Sequence, residues 1–158
     1  MAGRGFQLSD VSETELAAFG VHLARNLCAG DTILLDGPVG AGKTHLARAL
    51  IQSILIEPED VPSPTFTLSQ VYETVRGTLW HTDLYRITSE NEIEELGLTE
   101  AFETAICLVE WPDRLGVYAP KDALVLNFEA KNYDTRNVHA IWTSPRWDKL
   151  KERVHAGS

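Results

Sequence analysis

The sequence predicts an α/β fold: a mostly parallel central sheet with helices on both faces and an added antiparallel hairpin. Three observations carry this expectation. Short apolar strand candidates alternate with helical stretches, the pattern of a sheet covered on both sides. A glycine-rich loop joins the buried strand candidate Thr32-Ile33-Leu34-Leu35 directly to a helix. Two alternating runs, Leu68 to Val75 and Thr78 to Asp83, flank Arg76-Gly77 as the arms of a hairpin flank its turn.

The elements follow in order. Phe6-Gln7-Leu8 is a short first strand. Ser12-Glu13-Thr14-Glu15 is a capping box, with Ser12 at the N-cap and Glu15 three residues on. Leu16, Phe19, Leu23 and Leu27 then recur at helical spacing, so a helix runs to about Cys28. After the glycine loop, Thr44 to about Ile56 reads as a second helix, ended by Pro58, Pro62 and Pro64. Residues 90–103 are helical and acidic, and Ala105 to Val109 is an apolar strand ending at Glu110-Trp111. Ala123 to Phe128 and Val138 to Thr143 are two further strands. Ser144-Pro145 starts a last amphipathic helix with proline in its first turn.

Bulk properties set limits. A length of 158 residues suits one domain spanning 1–158. Hydrophobic residues at 44% and charged residues at 23% are near the globular average, against wholesale disorder. Cys28 and Cys107 each sit in an apolar run and read as buried, reduced thiols. No Cys/His cluster has zinc-ligand spacing. The N-terminus lacks an apolar signal region, and no apolar run approaches the ~18 residues of a membrane span. A cytoplasmic protein without membrane contact is the expectation. The formal charge is −9 and no basic run exists, so any nucleic acid is expected to be held through a partner.

Gly37-Pro38-Val39-Gly40-Ala41-Gly42-Lys43-Thr44 fits G-x-x-x-x-G-K-[ST] at every fixed position. Glycines let the backbone curl so that successive N–H groups face phosphate oxygens, and the helix N-terminus adds its positive dipole end. Lys43 is placed to pair with the β- and γ-phosphates, and Thr44 to offer its hydroxyl to Mg²⁺. At a glycine frequency of ~7%, a chance match in a chain this size is on the order of one in a few hundred. The strand–loop–helix setting makes it rarer still. The Asn-Lys-x-Asp run of guanine-specific GTPases is absent, which favours ATP. Two acids end strand candidates, Asp83 and Glu110, where an α/β sheet binds its ligands and where Mg²⁺ takes a carboxylate. His81, two residues before Asp83, reads as a hydrogen-bonded, partly buried histidine or as a residue facing the site.

Four segments together resemble the TsaE family, the ATPase of bacterial tRNA threonylcarbamoyladenosine synthesis. They are Gly40-Ala41-Gly42-Lys43-Thr44, Ser63-Pro64-Thr65-Phe66-Thr67-Leu68, His81-Thr82-Asp83-Leu84-Tyr85-Arg86 and Leu108-Val109-Glu110-Trp111-Pro112. Glu95-Leu96-Gly97-Leu98 is a fifth family-like segment. The resemblance implies a P-loop NTPase-like three-layer fold that binds ATP and Mg²⁺. It implies that Lys43 and Thr44 are the Walker A pair and that Glu110 is the second Mg²⁺ contact. It places Thr65 in a switch-like loop near the γ-phosphate, Asp83 in ATP turnover and Trp111 beside the site. The ATP cradle it implies spans Gly37, Pro38, Val39, Gly40, Ala41, Gly42, Lys43, Thr44 and His45. Arg136, between the last two strands, and the segment from Asp10 to Thr14 are further candidates near the nucleotide. The implied partners are the transferase TsaD and its relative TsaB, with adenosine 37 of tRNA reached only through that complex.

Two positions depart from the family pattern. Pro38 stands where an acid is usual, and proline contributes no N–H to the loop. His45 stands where threonine is usual, beside the expected α-phosphate. Lys43, Thr44 and Glu110 are intact, so nucleotide binding is expected to survive. Two other readings differ in kind. A stand-alone small-metabolite kinase needs an arginine-rich lid, but the nine arginines are scattered and no lid-sized insertion separates the strands. An ATP-gated module that never hydrolyses its nucleotide needs only the loop. The acidic run Glu90, Glu92, Glu94, Glu95, Glu100 and Glu103 reads as a solvated helix face or as a docking surface for a basic partner.

Overall fold

Side-chain alternation decides the architecture. A computed structural model describes residues 4–38, 40–62, 64, 68–132 and 134–150. In β2 (Thr32–Asp36) and β5 (Ile106–Glu110) successive side chains point to opposite faces of the sheet. Ile33, Leu35, Ile106 and Leu108 enter one core, while Leu34, Cys107 and Val109 enter a second. The first core is closed by α1 (Glu13–Ala24) and α2 (Lys43–Gln52). The second is closed by α3 (Asn91–Leu96), α4 (Leu98–Thr104) and a 3₁₀ segment, Pro112–Tyr118. Both faces of the central strands are therefore dry, which is why their sequences are continuously apolar.

The remaining strands are β1 (Arg4–Val11), β3 (Ser69–Thr74), β4 (Gly77–Asp83), β6 (Leu124–Ala130) and β7 (Arg136–Trp142). They complete a seven-stranded sheet in the order β1-β7-β6-β2-β5-β4-β3. The centre, β6-β2-β5-β4, is parallel. The predicted hairpin is β3–β4, and antiparallel pairing also occurs at the other edge, where β7 joins β6 and β1 joins β7. Strand β1 is longer than Phe6–Leu8 because it bulges: pairing with β7 shifts between Leu8 and Val11, and Asp10 there takes φ 56°.

Helix α1 opens on the predicted capping box. Ser12 Oγ accepts from Glu15 N, and Glu15 Oε1 accepts from Ser12 N. The helix stops at Ala24, short of Cys28, where the Asn26 amide turns back to the His22 carbonyl. Helix α2 likewise ends at Gln52, before Ile56. The acidic stretch is two helices, not one. Gly97 at φ 81° closes α3, and a left-handed residue cannot continue a right-handed helix. Glu92 accepts from the Thr88 and Ser89 N–H groups ahead of α3, and these donors hold its carboxyl below the ordinary value. Glu90, Glu94, Glu95, Glu100 and Glu103 are exposed.

The predicted last helix begins as a 3₁₀ turn, Pro145–Trp147, capped by the Ser144 hydroxyl and followed by helical residues 148–150. Arg146 in this turn pairs with the carboxylate of Asp31, donates to the Asn26 carbonyl and lies 4.4 Å over the Trp147 ring. This clamp fastens the C-terminal turn to the start of β2, at the end of the sheet away from the glycine loop. Among the described residues, no helix is long and apolar enough to cross a membrane.

The thiols differ, against the expectation that both are buried. Cys107 is buried in β5, and burial pushes its thiol up to about 12. Cys28 is exposed, because α1 has already ended and its apolar neighbours turn inward without it. Only thiolate reacts with an alkylating agent. Iodoacetamide at pH 8 should therefore modify one cysteine in the native chain, Cys28, and two in guanidinium, read by intact mass.

Candidate functional site

The parallel register of the central strands fixes the floor of the site. Asp83, the last residue of β4, lies opposite Glu110, the last residue of β5, and His81 lies opposite Leu108. Paired residues and those two apart share a face, so His81, Asp83 and Glu110 all point to the side covered by α1 and α2. The loop leaving β2 delivers the start of α2 to the same place. Gly42 there adopts φ 104°, and a Cβ on it would stand 2.6 Å from Leu16 Cδ2 in α1. Glycine is needed for both reasons: backbone conformation and the close approach of α1.

Side chains from these elements converge. The Thr44 hydroxyl lies 3.0 and 3.2 Å from the two carboxylate oxygens of Glu110. His81 Nε2 lies 2.7 Å from Glu110 Oε2. Asp83 Oδ1 accepts from Tyr85 N at 2.9 Å, and burial nevertheless pushes the Asp83 carboxyl above its ordinary value. Lys43 is buried, with its Nζ 3.9 Å from the centre of the Trp111 ring. That ammonium has no hydrogen-bond partner among the described residues. Burial lowers its pKa despite the nearby charges of Glu110 and Asp83. Trp111 itself is held at φ 60°, ψ 54°, and its ring meets Tyr85 at 5.1 Å. A left-handed conformation is costly for a bulky residue, and such strain concentrates at functional sites.

These groups line a cleft of about 500 Å³, within the size range of small-ligand sites. Its walls include Gly40, Gly42, Lys43, Thr44, His45, Asp83, Glu110, Trp111 and Arg136, all expected from the sequence. Arg136 opens β7, and only 6% of its surface is exposed. Its guanidinium passes close to Gly42. His45 turns aside, its Nε2 3.1 Å from the Glu13 carbonyl at the start of α1. Gly37, Pro38 and Ala41 shape the loop without lining the cleft: Ala41 N donates to Pro38 O at 3.2 Å. Asp10 lies apart from the cleft walls, its carboxylate 2.7 Å from Lys131 Nζ. Val39 and Thr65 fall outside the described residues. Arg86 is exposed and does not line the cleft.

Sequence reasoning did not place Tyr85 in the wall. Glu13 also lines it, within the segment from Asp10 to Thr14 expected near the nucleotide. Its position over the loop depends on α1 packing against α2, which no local pattern reports. Tyr85 follows Asp83 by two residues, and that spacing was the available signal.

The donor set suits a hard cation shared with phosphates. Thr44 Oγ keeps lone pairs free while its proton is committed to Glu110, and Glu110 supplies anionic oxygen. No group of three or more His, Cys, Asp or Glu placed to hold a metal occurs among the described residues. The buried Lys43 ammonium is complementary to an anion.

Fold and site together define a protein of the P-loop class, an α/β sheet carrying a phosphate-type loop beside a strand-end carboxylate. Comparison with known proteins agrees. The family model for the threonylcarbamoyl adenosine biosynthesis protein TsaE matches residues 11–138. A TsaE of Rickettsia bellii is 37% identical over 125 residues, 79% of this chain and 87% of its own. A TsaE of Haemophilus influenzae is 36% identical over 110 residues, 69% of this chain and 68% of its own. The crystal structure of Bacillus subtilis YdiB shares the fold, with a TM-score of 0.79 over 99% of this chain and 98% of that one, at 24% identity. The chain belongs to the TsaE family, whose members are tRNA threonylcarbamoyladenosine biosynthesis proteins.

The orphaned ammonium of Lys43 has a measurable consequence. Its folded pKa lies below the ordinary 10.5, so the folded chain binds fewer protons than the unfolded one just below that value. The charge therefore opposes folding at neutral pH, and the deficit shrinks as pH rises towards 10.5. An uncompensated buried polar group typically costs about 1–3 kcal/mol. Lys43→Met should leave the unfolding free energy unchanged or raise it by about 1 kcal/mol, in urea titrations without ligand.

Proposed function

We propose that this chain binds Mg·ATP in the cleft and hydrolyses it as the nucleotide-driven component of tRNA threonylcarbamoyladenosine synthesis. The supporting observation is a buried Lys43 ammonium, without a hydrogen-bond partner among the described residues, beside a Thr44–Glu110 oxygen set at one loop. A polyphosphate satisfies the first and a divalent cation the second. Membership of the TsaE family supplies the pathway.

In this reading Lys43 pairs with the terminal phosphates and the N–H groups of the loop cradle the rest. Thr44 and Glu110 hold Mg²⁺, which neutralises charge building on the transferred phosphoryl group. Asp83, its carboxyl pushed above the ordinary value by burial, stands across from Glu110 at the γ-phosphate end of the cleft. Arg136 enters from the β7 side as a cation for the phosphates, and Trp111 closes the wall behind Lys43. Thr65 belongs to the segment expected to answer the γ-phosphate. No side chain among the described cleft residues is an evident activator of water, so turnover is slow until a partner completes the site. The proposed partners are a TsaD-type transferase and a TsaB-type protein. They hold the tRNA, consistent with the net charge of −9 on this chain. The proposed location is the cytoplasm, where tRNA is modified.

The test is phosphate release from Mg·ATP by the full chain, alone and with its TsaB–TsaD pair. Stimulation of at least tenfold by the pair is expected. Lys43→Ala and Glu110→Ala should each reduce it by about 10²-fold or more, the scale of losing a principal charge stabiliser. ATP binding without release in any mixture would instead establish a nucleotide-gated scaffold. Release accompanied by phosphorylation of a small molecule, without need of partners, would establish a kinase.

A further inference from the structure

His81 lies at the floor of the cleft, and nothing in the ATP reading uses it. Its ring is completely buried in the strand next to Glu110. Burying an imidazole costs free energy that a leucine there would not incur, so its polar contacts need a reason. Among the described residues, the hydrogen-bond partner found for it is Glu110 Oε2, at 2.7 Å. Nδ1 is buried and has none. A carboxylate accepts only, so the hydrogen of this bond sits on Nε2. The neutral Nε2–H tautomer leaves Nδ1 as a bare acceptor and adds no orphaned donor.

The Thr44 hydroxyl alone does not orient this carboxylate, because it lies almost equally far from both oxygens, at 3.0 and 3.2 Å. His81 removes that ambiguity by engaging one of them. We propose that His81 is a positioning residue for the cation site: its Nε2–H pins Glu110 Oε2, so that Oε1 is presented beside Thr44 to a divalent metal. This inference rests on the Mg·ATP reading of the cleft. The reason for a histidine is reach and rigidity. A planar ring on β4 delivers an N–H across to the next strand with only two rotatable bonds to fix. Residues that orient a metal ligand through a hydrogen bond commonly contribute 10–100-fold to metal affinity.

The experiment measures ATP affinity by calorimetry with and without Mg²⁺, in the full chain and in His81→Leu and His81→Gln. The ratio of the two affinities is the metal coupling. His81→Leu, which keeps bulk and loses the donor, should reduce that ratio about tenfold. His81→Gln places an amide N–H at similar reach and should restore most of it, which a purely space-filling role would not predict. If the parent chain shows no effect of Mg²⁺ on ATP affinity, the functional reading fails and this inference fails with it. If the parent shows the coupling and His81→Leu retains it, only the inference fails. Nitrogen-15 NMR of the ligand-free parent chain tests the geometry without any variant. It should show His81 protonated at Nε2 and bare at Nδ1, and the opposite tautomer would overturn the proposal even if His81→Leu did not fold.

Discussion

The site depends on one buried carboxylate. Glu110 ends β5, and 3% of its surface is exposed. It joins three elements: its carboxylate takes Thr44 from the first turn of α2 and His81 from β4, and its own carbonyl accepts from Leu84 N just beyond β4. A charge this deep is tolerable only when its lone pairs are occupied. The Thr44–Glu110 contact ties the first turn of α2 to the end of β5, while the apolar face of α2 is held in the core. Lys43, one residue before Thr44, rests its ammonium on the Trp111 ring.

This leaves a site that carries several local costs at once. Trp111 is held left-handed immediately after Glu110, Lys43 lies on a ring, and Asp83 is pushed towards its neutral form. The first is a cost in backbone conformation, and the other two are costs of burying polar groups. The rest of the molecule sustains these costs through two ordinary cores, one on each face, and through the Arg146–Asp31 clamp at the opposite end of the sheet. Stability and chemistry are thus separated along the strands: strain lies at their carboxyl ends and anchorage at their amino ends.

What the sequence disclosed follows the range of each interaction. Contacts within a few residues were legible: the Ser12–Glu15 box, the glycine loop, the Arg76-Gly77 hairpin and the strand that ends in Glu110. Contacts across the sheet were legible only where a motif stood in for them, as with Asp83 and Glu110. The pairing of β1 with β7 left no local trace, nor did the bulge at Asp10. The acidic stretch reads as one helix because glutamates run on both sides of Gly97 with no proline between them. The left-handed conformation of that one glycine divides it. Cys28 was misread for a similar reason, since apolar neighbours say nothing about where a helix stops.

The two departures from the family pattern differ in what they touch. Pro38 removes an N–H from a stretch that does not line the cleft, and its carbonyl still closes the turn onto Ala41. A rigid φ at that position favours the loop's shape through the unfolded state, at little cost to the cradle. His45 is different, because it lines the cleft and its imidazole already engages the Glu13 carbonyl. That contact fastens the N-terminus of α1 to the first turn of α2, the two elements that meet over the loop. A threonine is too short to make it. The departure therefore trades a short hydroxyl beside the loop for a bridge between helices. The loop of this chain owes its place as much to α1 as to the strand that precedes it.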